Sequence, residues 1–117
     1  MNTVRRNTRD EDALSAIFGA LADPTRRAML ERLRAGPRSV SELGAPFRMS
    51  QPTISKHLQV LEKAGLVVRG KDAQLRPRTI ETAPLKIADA YIEQFRVLWE
   101  ERLDRLEHYL RKLQSDQ

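Results

Sequence analysis

Between Ser39 and Glu62 the sequence reads SVSELGAPFRMSQPTISKHLQVLE, and helical spacing sorts its second half into two chemical sets. Ile54, Leu58 and Leu61 recur at i, i+4 and i+7 and share one face, which must pack inward. Pro52, Lys56, Gln59 and Lys63 fall opposite, with Thr53, Ser55 and His57 on the flanks. The outward set therefore consists of compact donors and acceptors with few acids. Base edges in a DNA major groove present mixed donors and acceptors, so this set suits them. Ser50 and Gln51 open the segment, where the unpaired N–H groups of a helix start can grip a phosphate. Shortly after come Arg69, Lys71, Arg76 and Arg78, opposed by Asp72 and Glu81. That second cationic patch can reach phosphates or place an arginine in a minor groove.

Several of these side chains also have ordinary structural readings. His57 can half-bury beside the apolar face and hydrogen-bond locally, or it can reach DNA with its neighbours. Lys56 is exposed on either reading, and a phosphate suits its point charge better than a base edge does. Arg26 and Arg27 can solvate their own helix or support the core and the DNA backbone. Arg5, Arg6 and Arg9 fit a disordered tail better than a DNA-touching arm.

The elements that position these groups follow from turn and cap signals. Leu14, Ile17, Phe18 and Leu21 predict a short amphipathic helix. Asp23-Pro24 ends it and starts another, since Asp caps and Pro fits the first helical turn. That second helix turns Met29, Leu30 and Leu33 inward and closes at Gly36-Pro37. Ser39 or Ser41 caps a third, very short helix with Val40 and Leu43, and Phe47 plugs the turn after it. Ser50 caps a fourth helix that runs to Ala64, and Gly65 ends it. Leu66-Val67-Val68 and the stretch Leu75 to Glu81 then read as a two-stranded hairpin with Pro77 on an edge. Thr82 and Pro84 open a final helix of about thirty residues, roughly 45 Å long. The order α-α-α-α-β-β-α is mainly helical with a small hairpin, a winged helix-turn-helix. It divides into a flexible tail over 1–11, a core over 12–83 and a long helix over 84–114.

Composition agrees with one small domain: 117 residues, 40% hydrophobic and 32% charged, with net charge +5. The charge is not evenly spread. Residues 23–83 hold twelve Lys and Arg against six Asp and Glu, while 84–114 balance six against six. A cationic middle fits a polyanion, although a basic surface alone would also keep the chain soluble. There is no cysteine. Disulfides, thiolate metal sites and thiol redox sensing all need that sulfur, and two histidines, His57 and His108, are too few for a histidine metal site. No metal, no cofactor and no enzymatic activity are expected, because no nucleophile–base pair and no phosphate-cradling glycine loop is present. The start, MNTVRRNTRDED, lacks the apolar stretch of a secretory signal, and no apolar run suffices for a bilayer. The expectation is a cytoplasmic protein without membrane contact.

The last helix carries a different pattern. Ile92, Phe95, Trp99, Leu103, Leu106, Leu110 and Leu113 are separated by 3, 4, 4, 3, 4 and 3 residues, a near-heptad seam that wants another helix. Tyr91, Phe95 and Trp99 stack along it at i, i+4 and i+8. A homodimer core explains this better than a small-molecule pocket, because aromatic stripes at helical spacing usually pack. Leu14, Ile17, Phe18, Tyr91, Ile92, Phe95, Trp99, Leu103, Leu106 and Leu110 are therefore expected in the dimer interface.

Three blocks now carry a resemblance: Phe18-x-Ala20-Leu21-Ala22-Asp23-Pro24-Thr25-Arg26-Arg27, Ser39-Val40-Ser41-Glu42-Leu43, and Ser50-Gln51-Pro52 through Gly65-Leu66-Val67. In order and spacing the chain resembles the ArsR/SmtB repressors over roughly residues 12 to 103. The resemblance implies a winged-helix homodimer that binds double-stranded DNA as a transcriptional repressor, in many members of its own operon, on an inverted repeat. It assigns DNA contact to Ser50, Gln51, Thr53, Ser55, Lys56 and His57, and the basic wing to Arg76 and Arg78; Gln59 joins them from its helical spacing and Arg69 from the charge pattern. The metal-sensing members carry Cys-x-Cys where this chain has Ser41-Glu42-Leu43, or paired ligands where His108 stands alone, so those sensors cannot be built here. No residue names a small-molecule effector. The wing tip, Lys71-Asp72-Ala73-Gln74, lacks the glycine many members place there. The competing reading is a winged-helix protein-interaction module without DNA binding, which would place acids on the outward face of the fourth helix.

Overall fold

The computed structural model describes residues 8–71 and 76–116. In chain order the elements are α1 (Thr8–Leu21), α2 (Pro24–Leu33), α3 (Val40–Gly44), α4 (Gln51–Lys63), β1 (Val67–Arg69), β2 (Arg78–Ile80) and α5 (Ala83–Ser115). This is the expected order. Each short helix is punctuated as its sequence dictates. The Asp23 side chain accepts the Arg26 backbone N–H at 3.0 Å with Pro24 in the first turn. Ser39, rather than Ser41, caps α3 through a reciprocal pair with Glu42, at 3.2 and 2.9 Å. Ser50 accepts the Thr53 N–H at 3.3 Å at the start of α4. Gly65 takes φ +75° after α4, a left-handed conformation that costs glycine little.

Two boundaries differ from the sequence reading. α1 begins at Thr8, so residues 8–11 are helical and not part of a tail ending at residue 11. Asp10 and Glu11 lie in its first turn, where negative charge favours the positive end of the helix dipole. Residues 1–7, with Arg5 and Arg6, lie outside the described residues. α5 spans 83–115 rather than 84–114, and Thr82 makes no side-chain cap. Glu81 does that work instead, its Oε1 accepting the Ala83 N–H at 3.0 Å.

The core sits where α2, α3 and α4 meet the base of the hairpin. Met29, Leu33, Leu43, Leu58, Leu61 and Leu66 are essentially sealed from water, and Phe47 packs against them from the turn, as its apolar bulk requires. β1 and β2 pair antiparallel, with Val67 opposite Ile80, Val68 opposite Thr79 and Arg69 opposite Arg78. A third, single-residue partner joins them: Arg38 N–H donates to the Arg78 carbonyl at 3.0 Å and Arg78 N–H returns a bond of 2.7 Å. The segment after α2 thereby closes the free side of β2. Beyond β1, Gly70 N–H donates to the Pro77 carbonyl at 2.6 Å, and a Cβ on Gly70 would lie 2.9 Å from the Pro77 ring. Only a residue without a side chain fits that approach. The wing tip, residues 72–75, lies outside the described residues.

α5 packs its first turns on α1 and then leaves the body of the protein. Ala88 is buried, and Phe18 meets Tyr91 edge-on with centroids 5.9 Å apart. From Ile92 onward the apolar seam is bare, Phe95 being 54% and Trp99 64% exposed. Ile17 corrects the expected dimer set: it is 1% exposed in the single chain and belongs to the protomer's own interior. Among the described residues no helix is long and apolar enough to cross a membrane.

Candidate nucleic-acid interface

α4 presents the face that its spacing predicts. Ile54, Leu58 and Leu61 are buried, whereas Ser50, Gln51, Thr53, Lys56, Gln59 and Lys63 are exposed. Ser55 and His57 sit half-buried on the flanks. The Ser50 hydroxyl is engaged by its own helix, since its Oγ also lies 2.9 Å from Thr53 Oγ1. Pro52 carries no N–H and the Thr53 N–H is held by the cap, so the anion-binding capacity of this helix start is smaller than that of an uncapped one. Arg48 is exposed in the turn just ahead of α4. Sequence reasoning passed over it, although a cation two residues before a recognition-helix cap is itself a signal for a phosphate.

His57 is held by a neighbour that the sequence left undecided. Arg26 donates from Nε to the Ala20 carbonyl at 2.9 Å, and from Nη2 to the Gly19 carbonyl at 3.0 Å. Its Nη1 lies 3.1 Å from His57 Nδ1. Arg27 adds a bond from Nη1 to the Leu21 carbonyl at 2.7 Å. Both arginines thus satisfy carbonyls left over at the C-terminal end of α1, where cations also oppose the helix dipole. The Arg26 backbone N–H, with its guanidinium nearby, holds the Asp23 carboxyl below its usual range; partial burial works the other way.

The wing is less cationic than its sequence. Glu62, near the end of α4 and 17% exposed, reaches both strands. Arg69 Nε donates to its Oε2 at 2.8 Å, and a second bond of 3.4 Å runs to Oε1. The same Oε2 lies 3.4 Å from Arg78 Nε, an ion pair without a hydrogen bond. Arg78 is only 8% exposed, and its Nη1 also donates to the Arg76 carbonyl. Arg78 therefore departs from the outward position expected of it: it is nearly buried and braces the wing against α4. The cause is register, since pairing with Arg69 and with Arg38 turns Arg78 over the one carboxylate there. Arg69 is 48% exposed but tied, its guanidinium held charged by Glu62. Arg76 and Lys71 are exposed at the wing's outer end, and Arg76 adopts φ +38°.

Of the expected interface residues on α1 and α5, Leu14, Phe18 and Tyr91 are half-buried, while Ile92, Phe95, Trp99, Leu103, Leu106 and Leu110 lie bare. A groove of about 400 Å³ runs between the two helices, lined by Asp10, Leu14, Lys86, Ile87, Ala90, Tyr91 and Gln94. Among the described residues no group of three or more His, Cys, Asp or Glu could hold a metal ion.

Comparison with known proteins agrees with this geometry. Residues 21–69, from the end of α1 to the end of β1, match a family model described as a helix-turn-helix domain. The transcriptional repressor SdpR of Bacillus subtilis is 30% identical over 73 residues, which cover 62% of this chain and 81% of SdpR. The HTH-type transcriptional regulator Rv2034 of Mycobacterium tuberculosis is 54% identical over 48 residues, 41% of this chain. That match spans 45% of Rv2034, less than half its length. Among solved structures, the ArsR family transcriptional regulator RHA00566 superposes with a TM-score of 0.70 at 44% identity, covering 75% of this chain and 97% of its own.

Proposed function

This chain belongs to the ArsR family of winged helix-turn-helix transcriptional regulators, and from that premise we propose that it is a dimeric repressor reading an inverted-repeat operator. One observation carries the proposal: α4 anchors Ile54, Leu58 and Leu61 in the core and turns Gln51, Lys56 and Gln59 to solvent, clear of acids. The only carboxylate on α4, Glu62, is neutralised by Arg69 and Arg78. The outward face is thus a set of donors and amides within a cationic surround, which fits base edges flanked by phosphates. Two such helices in a two-fold dimer about one duplex turn apart, ~34 Å, would contact two half-sites. The bare seam of α5 supplies the surface for the second copy. A cytoplasmic location accords with this work.

Binding of the full chain to duplexes selected from a random-sequence pool tests the reading. Selection should yield an imperfect palindrome. With about six phosphates neutralised per dimer, affinity should fall roughly 10³-fold between 50 and 200 mM salt. Lys56→Ala or Arg76→Ala should weaken binding to all duplexes and flatten the salt slope, while Gln51→Ala or Ser55→Ala should change sequence preference. Recovery of no preferred sequence would sink the proposal.

A further inference from the structure

Arg26 touches three elements at once. It caps the end of α1 through Gly19 and Ala20, opens α2 through Asp23, and meets the recognition helix at His57. The last contact fixes chemistry as well as position. A guanidinium can only donate, so His57 Nδ1, 3.1 Å from Arg26 Nη1, must accept. The neutral ring then carries its proton on Nε2. Asp23 Oδ2 also approaches Nδ1, but at 3.8 Å it is too distant to compete as a hydrogen-bond partner. His57 is not sealed by these contacts, since 17% of its side chain stays exposed on the flank of α4 beside Lys56.

We propose that Arg26 is a positioning residue for DNA reading: by donating to His57 Nδ1 it fixes the ring's orientation and tautomer, so that His57 offers Nε2–H to an acceptor on the duplex. The inference rests on the assignment of α4 as the DNA-reading helix. The acceptor chemistry is shared by base edges, such as guanine N7 and O6 or thymine O4, and by phosphate oxygens. The two sources differ in consequence. A base-edge contact raises affinity for the selected sequence alone, whereas a phosphate contact raises it for every duplex. Arg26 itself needs no contact with DNA, because it acts through the imidazole.

The test uses the full chain, the duplex that the wild-type protein selects from a random pool, and a scrambled duplex of equal composition. Nitrogen-15 NMR of the histidine side chains of the free protein should show His57 with Nδ1 unprotonated and Nε2 protonated. Arg26→Met should release that fixed state and weaken binding to the selected duplex about tenfold, measured where the variant is fully folded; the selected-to-scrambled ratio falls with it if the acceptor is a base edge and holds if it is a phosphate. His57→Asn keeps an acceptor near the Nδ1 position but not the outward N–H. It should hold its Tm within a few degrees and lose about tenfold on the selected duplex, or equally on both duplexes if the acceptor is a phosphate. His57→Gln, which restores an N–H near the Nε2 position, should recover most of the loss. A protonated Nδ1 in the wild type overturns the proposal, and so does wild-type binding by both Arg26→Met and His57→Asn. Should the wild type select no sequence at all, the DNA-reading assignment falls, while the NMR result still decides the Arg26–His57 pair.

Discussion

Glu62 shows how one side chain sets the electrostatics of a surface. Its carboxylate faces a half-exposed Arg69 and a nearly buried Arg78, so its two partners should respond differently to its loss. Glu62→Ala leaves the Arg78 guanidinium buried without a counter-charge and should cost about 2–4 kcal/mol of unfolding free energy, read from urea denaturation. Arg69→Ala removes a largely solvated, screened pair and should cost clearly less than the loss of Glu62. If the two variants were equally stable, the brace described here would be wrong. Asp23 gives a pH-dependent counterpart. Its carboxyl is lowered in the fold, chiefly by the Arg26 backbone N–H, and Glu42 is lowered likewise by Ser39. Each lowered carboxyl contributes stability that is complete above its unfolded value near 4 and is lost as pH falls through the lower folded value. Asp23→Asn keeps a capping oxygen but not the charge. Its stability should match the wild type more closely at pH 3 than at pH 7, which denaturation at the two pH values checks.

At the scale of elements, the capped helices were legible because their signals are local. Asp23-Pro24 and Ser50 each dictate a helix start through atoms three residues away, while at α3 the sequence offers both Ser39 and Ser41 and the structure selects Ser39 through its reciprocal pair with Glu42. The buried face of α4 was legible for the same reason, being a simple period. What escaped depends on partners distant in sequence. The Arg38–Arg78 pairing is one residue long, too short for any periodicity to announce it. Burial of Arg78 follows from a three-residue strand whose register is set by β1 and Arg38, so its charge alone pointed outward. Ile17 looked like an interface residue because helical spacing gives a face without saying whose core it enters. The early start of α1 had a readable signal in Asp10 and Glu11, which the apolar spacing of Leu14 to Leu21 outweighed. Gly70→Ala tests the hairpin: the added Cβ at 2.9 Å from the Pro77 ring must push the strands apart. The variant should lose about 1–3 kcal/mol and weaken DNA binding through a displaced Arg76.

The whole molecule is elongated, 71 by 39 by 22 Å, because α5 continues past the body that α1 to β2 build. Its 33 residues span about 50 Å, of which only the first turns rest on the same chain. Leu103→Asp with Leu106→Asp places charge on the bare seam without touching the interior. The double variant should sediment as a monomer and bind the selected duplex at least about tenfold more weakly, since one half-site then holds alone. A dimeric double variant with unchanged affinity would refute the role given to the seam.

In the proposed dimer, Ile92, Phe95, Trp99 and the leucines after them, exposed in the single chain, gain a dry environment only when two chains meet, which would tie heat resistance to abundance. For a folded pair that melts into two separate chains, a tenfold rise in concentration is worth about 1.4 kcal/mol and should lift the melting midpoint by roughly 3 °C. Newly made copies would then be most fragile while they are scarce, and each further molecule would steady those already present.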